Sequence, residues 1–317
     1  MILLSVTATA HTLQLLSGIF ASDILPIFVI AGVGFLLARY LAVQVQTLSR
    51  VTFHALAPAL IFTVLTTSTL SGLEFGRMAA FYALVAASSG VMARLAAIPL
   101  RLDRASLSAF LLVVVCSNSG NYGLPVALLA FGREALTFAS VYFVSSAIFS
   151  YTGGILLAAS GRRSFGQALA GVVRVPAVYG AASAGIVMTF GLHVPDAIAR
   201  PMAMLSDAAL PLMVLVLGMQ LERVTWPERP VMVVVASLLS LVATPLAAFG
   251  IAHLLGLQGP ALQAGVLQAS MPTAVITTIL ALEFDVDASF VTSVVCVTTL
   301  LSPLTLTLLI AYLQRAA

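Results

Sequence analysis

Cys116-Ser117-Asn118-Ser119-Gly120-Asn121-Tyr122-Gly123-Leu124-Pro125 interrupts a stretch that is otherwise Leu, Val and Ala. Two Asn, two Gly, two Ser and one Pro stand where a membrane helix would run unbroken. Gly permits backbone angles that other residues avoid. Pro lacks an N–H and clashes with the preceding turn. A second interruption follows at Gln268-Ala269-Ser270-Met271-Pro272-Thr273, with Thr277 and Thr278 one turn on. Backbone groups freed inside a bilayer need internal partners or a water-lined cavity. Two broken helices facing each other expose half-helix N-termini, whose N–H groups and positive dipole ends suit an anion. Asn118, Asn121, Gly123, Pro125, Gln268, Ser270, Pro272 and Thr273 are therefore the candidate substrate-binding residues.

Outward from these breaks, the composition is that of a membrane protein. The 317 residues are 61% apolar and 8% charged, with a mean hydropathy of +1.13. Soluble domains carry about 25% charge, so lipid must solvate much of this chain. The net charge of +3 and pI near 9.1 do not form a nucleic-acid footprint, because all 14 basic residues are Arg set singly at the ends of apolar runs. Arg94 and Arg174 read as anchors to lipid head groups. Cys116 and Cys296 lie inside apolar runs and suggest no metal site or disulfide. The four His, at 11, 54, 193 and 253, are scattered and no HExxH string occurs, which argues against an intramembrane enzyme. No metal or cofactor motif is present, and a proton or sodium ion is the coupling species to consider.

A spanning helix needs roughly 20 apolar residues. Ten segments qualify, at 22–42, 48–70, 77–99, 105–131, 134–158, 172–191, 198–220, 230–255, 260–282 and 287–313. Arg counting sets the orientation. With the N-terminus outside, ten Arg face the cytoplasm and four face out, which puts both termini outside the cell (inner) membrane. The apolar residues 1–20 lack the basic start of a secretory signal and read as an N-terminal extension.

Prolines recur in order across the two halves. Pro26 pairs with Pro176, Pro58 with Pro211 and Pro125 with Pro272, at offsets of 150, 153 and 147. This predicts two five-helix repeats, 21–158 and 172–317, joined by a cytoplasmic link at 159–171. Five is odd, so the second repeat enters the membrane inverted, an arrangement that places the site at the repeat interface. Asp207, four residues before Pro211, and His54, four before Pro58, are the candidate coupling groups. Each also has a bland reading, Asp207 bonding locally near a helix end and His54 packing in the protein. The polar stripes Ser145, Ser146, Ser150 and Thr298, Thr299, Ser302 read as helix back-bonding or substrate contacts.

Four stretches, in order, resemble the auxin efflux carrier family. They are Leu25-Pro26-Ile27-Phe28 with Gly32 and Gly34; Ser49-Arg50 followed by Pro58-Ala59-Leu60-Ile61-Phe62; Asn118 with Gly123-Leu124-Pro125; and Gln268-Ala269 to Pro272 with Ala281-Leu282-Glu283-Phe284. The resemblance covers roughly 22–313. It implies an all-α fold of ten transmembrane helices in two inverted repeats, with helices 4 and 9 broken at prolines and crossing. It implies that helices 1, 2, 6 and 7 form a scaffold that often makes a homodimer, beside a mobile domain of helices 3–5 and 8–10. It implies elevator-type transport of a small organic anion, auxin-like or a mono- or dicarboxylate, with Asn118 and the two prolines at the substrate. A sodium- or proton-coupled symporter of the bile-acid type is the alternative. Two departures stand out. Leu282 occupies a position where family members often carry Lys, and the long cytoplasmic loop of the plant carriers is missing.

Overall fold

A computed structural model describes residues 12–41, 43–154, 172–222 and 229–316. Residues 1–11 of the expected extension and the entire 159–171 link lie outside the described residues, as does Arg223. The described chain is helical, and its one β-type pairing is an isolated bridge.

In chain order the helices are α1 (Thr12–Leu41), α2 (Val45–Thr66), α3 (Gly72–Leu100), α4 (Arg104–Val115) and α5 (Leu124–Phe149). They continue with α6 (Pro176–Thr189), α7 (Asp196–Leu221) and α8 (Pro230–Leu254). Last come α9 (Gly259–Ala269), α10 (Ile276–Glu283) and α11 (Ala288–Ala316). Among the described residues, seven helices are long and apolar enough to cross a membrane. The predicted segments at 105–131 and 260–282 are each divided, and the 172–191 segment is the short helix α6. Residues 12–20 of the expected extension continue α1. Gly132 turns the chain within α5 with φ of 80°, which a side chain would resist, and so marks the predicted boundary near 131–134.

A local rule governs four of the prolines. A five-residue π-type turn ends two residues before each: Phe20–Ile24 before Pro26, Thr52–Leu56 before Pro58, Ser119–Gly123 before Pro125 and Leu239–Ala243 before Pro245. A proline ring clashes with the carbonyl four residues back and offers it no N–H. Widening the preceding turn moves that carbonyl aside without ending the helix. These prolines thus bend or widen helices, and the helices continue through them.

That rule corrects the expectation of a helix broken at Pro125. Helix α4 ends at Val115, and Cys116 is already extended, with φ −94° and ψ 97°. Pro125 sits in the first turn of α5, where a missing N–H costs nothing. Pro272, by contrast, lies inside the gap between α9 and α10.

Helix α1 lies along α7, and α2 along α6. The α1–α7 seam is a backbone contact: a Cβ on Gly218 would collide with the backbone of Ala31. Such close approach needs small residues, which is how helices associate without a hydrophobic drive between them. Helix α9 packs on α5, and α3 packs against α4, α5 and α8. At one end of the molecule, Arg39 of α1 pairs with Glu222 at 3.2 Å. Arg229 forms an ion pair with Asp287 at 3.2 Å and donates to Ser106 Oγ at 2.8 Å, tying the starts of α4, α8 and α11.

Candidate functional site at the crossing of two helix breaks

The two interrupted stretches meet. Ser117 and Thr273 form an antiparallel bridge. It is closed by Asn118 N–H donating to the Pro272 carbonyl at 2.7 Å, and Ala274 N–H donating to the Cys116 carbonyl at 2.9 Å. Each break thereby satisfies backbone groups that the other sets free, as burial demands. The hydroxyl of Thr273 donates to the Val113 carbonyl at 2.8 Å, and its N–H donates to Thr298 Oγ1 at 3.2 Å.

One side of this crossing carries a helix start, the turn at Ser119–Gly123. After Asn118 the chain enters the π-type turn, whose first internal bond runs from Gly123 N–H to the Asn118 carbonyl at 3.0 Å. The N–H groups of Gly120, Asn121 and Tyr122 precede that bond, as at any helix N-terminus. The turn packs against α7, and the Tyr122 ring meets Phe28 of α1 edge-on at 6.1 Å between centroids. Asn118 is 6% exposed and its Nδ2 has no partner. Gln268 is fully buried; its Nε2 donates to the Ala139 carbonyl at 3.3 Å, while its Oε1 lies against Gly123 without a hydrogen-bond partner. A Cβ at residue 123 would collide with that oxygen, so glycine is required for Gln268 to reach the turn. Leaving a buried polar group unpaired costs about 1–3 kcal/mol. Two such groups, the Asn118 donor and the Gln268 acceptor, belong to the crossing.

The opposite face carries helix ends and hydroxyls. A narrow pocket with room for about one water-sized body lies between the crossing, α3 and α8. Hydroxyls enter from α3 (Tyr82, Ser89), α5 (Tyr142), α8 (Ser240, Thr244) and the two breaks (Ser117, Thr273). Residues 113–115 at the end of α4, Ala269 at the end of α9, and Val85, Ala86 and Met271 also line it.

Of the sequence candidates, the crossing brings together Asn118, Gly123, Gln268, Pro272 and Thr273. Asn121 is half-buried on the same turn, and Pro125 is buried one turn further along. Ser270 is buried, but its hydroxyl is spent on the Val266 carbonyl at 2.7 Å. Asp207 and His54 stand apart: both are exposed, and His54 Nδ1 lies 3.1 Å from the Arg50 carbonyl. The polar stripes divide similarly. Ser145, Ser150 and Thr299 bond back to their own helices. Ser146 reaches Ser119 at 2.6 Å, and Ser302 lies 3.1 Å from the Tyr122 hydroxyl, bracing the turn.

Two features escaped the sequence reading. Asp23 of α1 is buried, with Ser22 Oγ donating to it at 2.5 Å and Gln314 Nε2 at 3.4 Å. The hydroxyl pocket was the other. Its signal was present as Tyr82, Ser89 and Ser240, Thr244 at one- and two-turn spacings, obscured because each residue alone reads as packing.

Seven long apolar helices around two broken segments that cross in the interior define a multi-pass membrane protein built around a polar centre. The membrane transport protein family profile matches residues 19–168 and 162–310. An uncharacterized transporter of Methanothermobacter thermautotrophicus is 31% identical over 265 residues, covering 83% of this chain and 87% of that protein. Another from Methanocaldococcus jannaschii is 26% identical over 278 residues, covering 83% and 88%. The chain belongs to this membrane transport family, the auxin efflux carrier family, and is a membrane transporter rather than an enzyme.

Proposed function

We propose that the protein is a secondary carrier of a small organic anion, auxin-like or a mono- or dicarboxylate, held at the amide face of the crossing. The observation that carries this reading is the buried, unpartnered Nδ2 of Asn118 at the start of the helical turn Ser119–Gly123. A carboxylate accepts hydrogen bonds and is favoured at that dipole end. With Leu at 282, exposed, no Lys is supplied there. Backbone dipoles and the Asn118 amide then hold the anion.

In this reading the ten predicted spans form two inverted five-helix repeats, with both termini outside the cell (inner) membrane. Helices α1, α2, α6 and α7 are the scaffold and the homodimer contact. The amide face meets α1 and α7, so the substrate sits between scaffold and mobile domain. An elevator-like displacement of the domain holding the crossing carries it across.

The test is transport by purified protein in liposomes across a panel of carboxylates, with and without sodium and a pH gradient. The reading expects carboxylate-dependent uptake or current that Asn118→Ala and Pro272→Ala greatly reduce. Transport unchanged in both variants, for every substrate carried, removes the crossing as the site.

A further inference from the structure

The geometry points to a binding site for one sodium ion in the hydroxyl pocket, on the opposite side of the crossing from the amides.

The first support is the kind of polar group present. Thr273 donates its only hydroxyl proton to Val113, at 2.8 Å. Ser89 donates its proton to the Val85 carbonyl at 2.8 Å. The 3.2 Å contact between Ser89 and Thr244 then requires Thr244 to be the donor. Three hydroxyls have thus spent their protons outside the pocket or on each other, and what they retain is lone pairs. Ser240 is 5% exposed, lines the pocket, and its Oγ has no partner. The oxygens of Thr273, Ser89 and Thr244 can therefore offer lone pairs to a cation, and the unpartnered Ser240 hydroxyl can turn to do the same.

The second support is the backbone. In an α-helix, the N–H groups of Asn118 and Ser119 would cap the carbonyls of Val114 and Val115. Here Asn118 N–H goes to Pro272, and Ser119 N–H goes to Ser117. The donor that would cap Ala269 is Thr273 N–H, which goes to Thr298. Val114, Val115 and Ala269 all line the pocket. Two helix C-terminal ends, each with a negative dipole end and carbonyls robbed of their regular donors, therefore border one small space. Unwound carbonyls and half-helix C-termini are the groups that coordinate monovalent cations in broken-helix carriers.

Size and charge complete the case. The pocket admits about one water-sized body. Among the described residues no carboxylate lines it, whereas divalent calcium and magnesium sites draw on carboxylates. The two exposed candidates from the sequence, Asp207 and His54, are not needed for this site. Because Thr273 and Ser117 belong both to the pocket and to the bridge, an ion bound here would stiffen the crossing itself.

The test uses the full chain in nanodiscs with no organic substrate, so it is independent of the anion reading. Thermal unfolding is followed in sodium, potassium and choline chloride at equal ionic strength. The site predicts a saturable rise in Tm with sodium and none with potassium or choline. Ser240→Ala and Thr244→Val should each weaken the apparent sodium affinity about tenfold or more, with Tm in choline close to wild type. Should Thr244→Val fold poorly, Ser240→Ala and Ser89→Ala carry the test. Equal Tm in all three salts, as expected of a pocket holding only water, would overturn the proposal. So would sodium stabilisation that is unchanged in the variants.

Discussion

The two faces of the crossing are built from the same two strands of backbone, yet they offer opposite chemistry. Toward α1 and α7 the chain presents the helix start at Ser119–Gly123, where Gly123 meets the Gln268 amide. Toward α3 and α8 it presents the ends of α4 and α9 and a set of hydroxyls, of which Ser89 and Thr273 have committed their protons and Ser240 has not. The difference arises from chain direction. Each break joins one helix's C-terminus to the next helix's N-terminus, so ends of both polarities lie close to the bridge between Ser117 and Thr273. On the proposed reading, a centre with no carboxylate among its described lining residues distinguishes anion from cation by backbone polarity.

The comparison can be broken most severely at Gly123. A Cβ there drives into the Gln268 side chain, and overpacking of a buried contact costs about 1–3 kcal/mol. Gly123→Ala should lower Tm and reduce anion transport by about tenfold or more, with uptake in liposomes and thermal unfolding as the readouts. Thr273→Val comes next, because Thr273 serves both faces. Removing its hydroxyl leaves the Val113 carbonyl without that donor, at a cost of about 1–3 kcal/mol. Both the anion response and the sodium response should weaken together in this variant. If only one weakens, the faces are not coupled through the bridge.

Asn118→Ala acts on one face alone. It should raise the KM for the carried anion by about five- to a hundredfold, while leaving any sodium-dependent rise in Tm intact.

The smallest effect belongs to a control that touches neither face. Asp103, exposed ahead of α4, has its carboxyl held below the ordinary range, chiefly by the Ser106 side chain. A depressed folded value contributes stability above the unfolded value and loses it as pH falls through the folded value. Asp103→Asn should remove that contribution. A slight loss of Tm at neutral pH, shrinking under acid, with transport unchanged, is the outcome expected of unfolding scans across pH.

How much of this was legible in the sequence depends on the physical signal. Apolar runs and their interruption by Asn, Gly and Pro located the helices and both breaks, because lipid tolerates polar groups only where something holds them. The break before Pro125 was misplaced by a few residues. Proline marks a constraint on the turn before it, and the same residue widened three other helices without breaking them. Asn118 and Gln268 were found because amides are conspicuous in a Leu-Val-Ala background. Ser89, Ser240 and Thr244 were not, since a lone hydroxyl in a helix ordinarily bonds its own backbone. Their meaning lies in three helices converging, and no single segment contains it. Asp207 was conspicuous by charge, yet it sits on an exposed face, while the buried Asp23 near the start of α1 passed unnoticed.

The central claim is that the amide face holds the carried anion, and ligand-induced stabilisation tests it most directly. Purified wild type and Asn118→Ala are to be unfolded thermally against the same panel of mono- and dicarboxylates. The account predicts that at least one carboxylate raises the Tm of wild type in a saturable way, and that this rise is largely lost in Asn118→Ala although the variant remains folded. An equal rise in both proteins would contradict it.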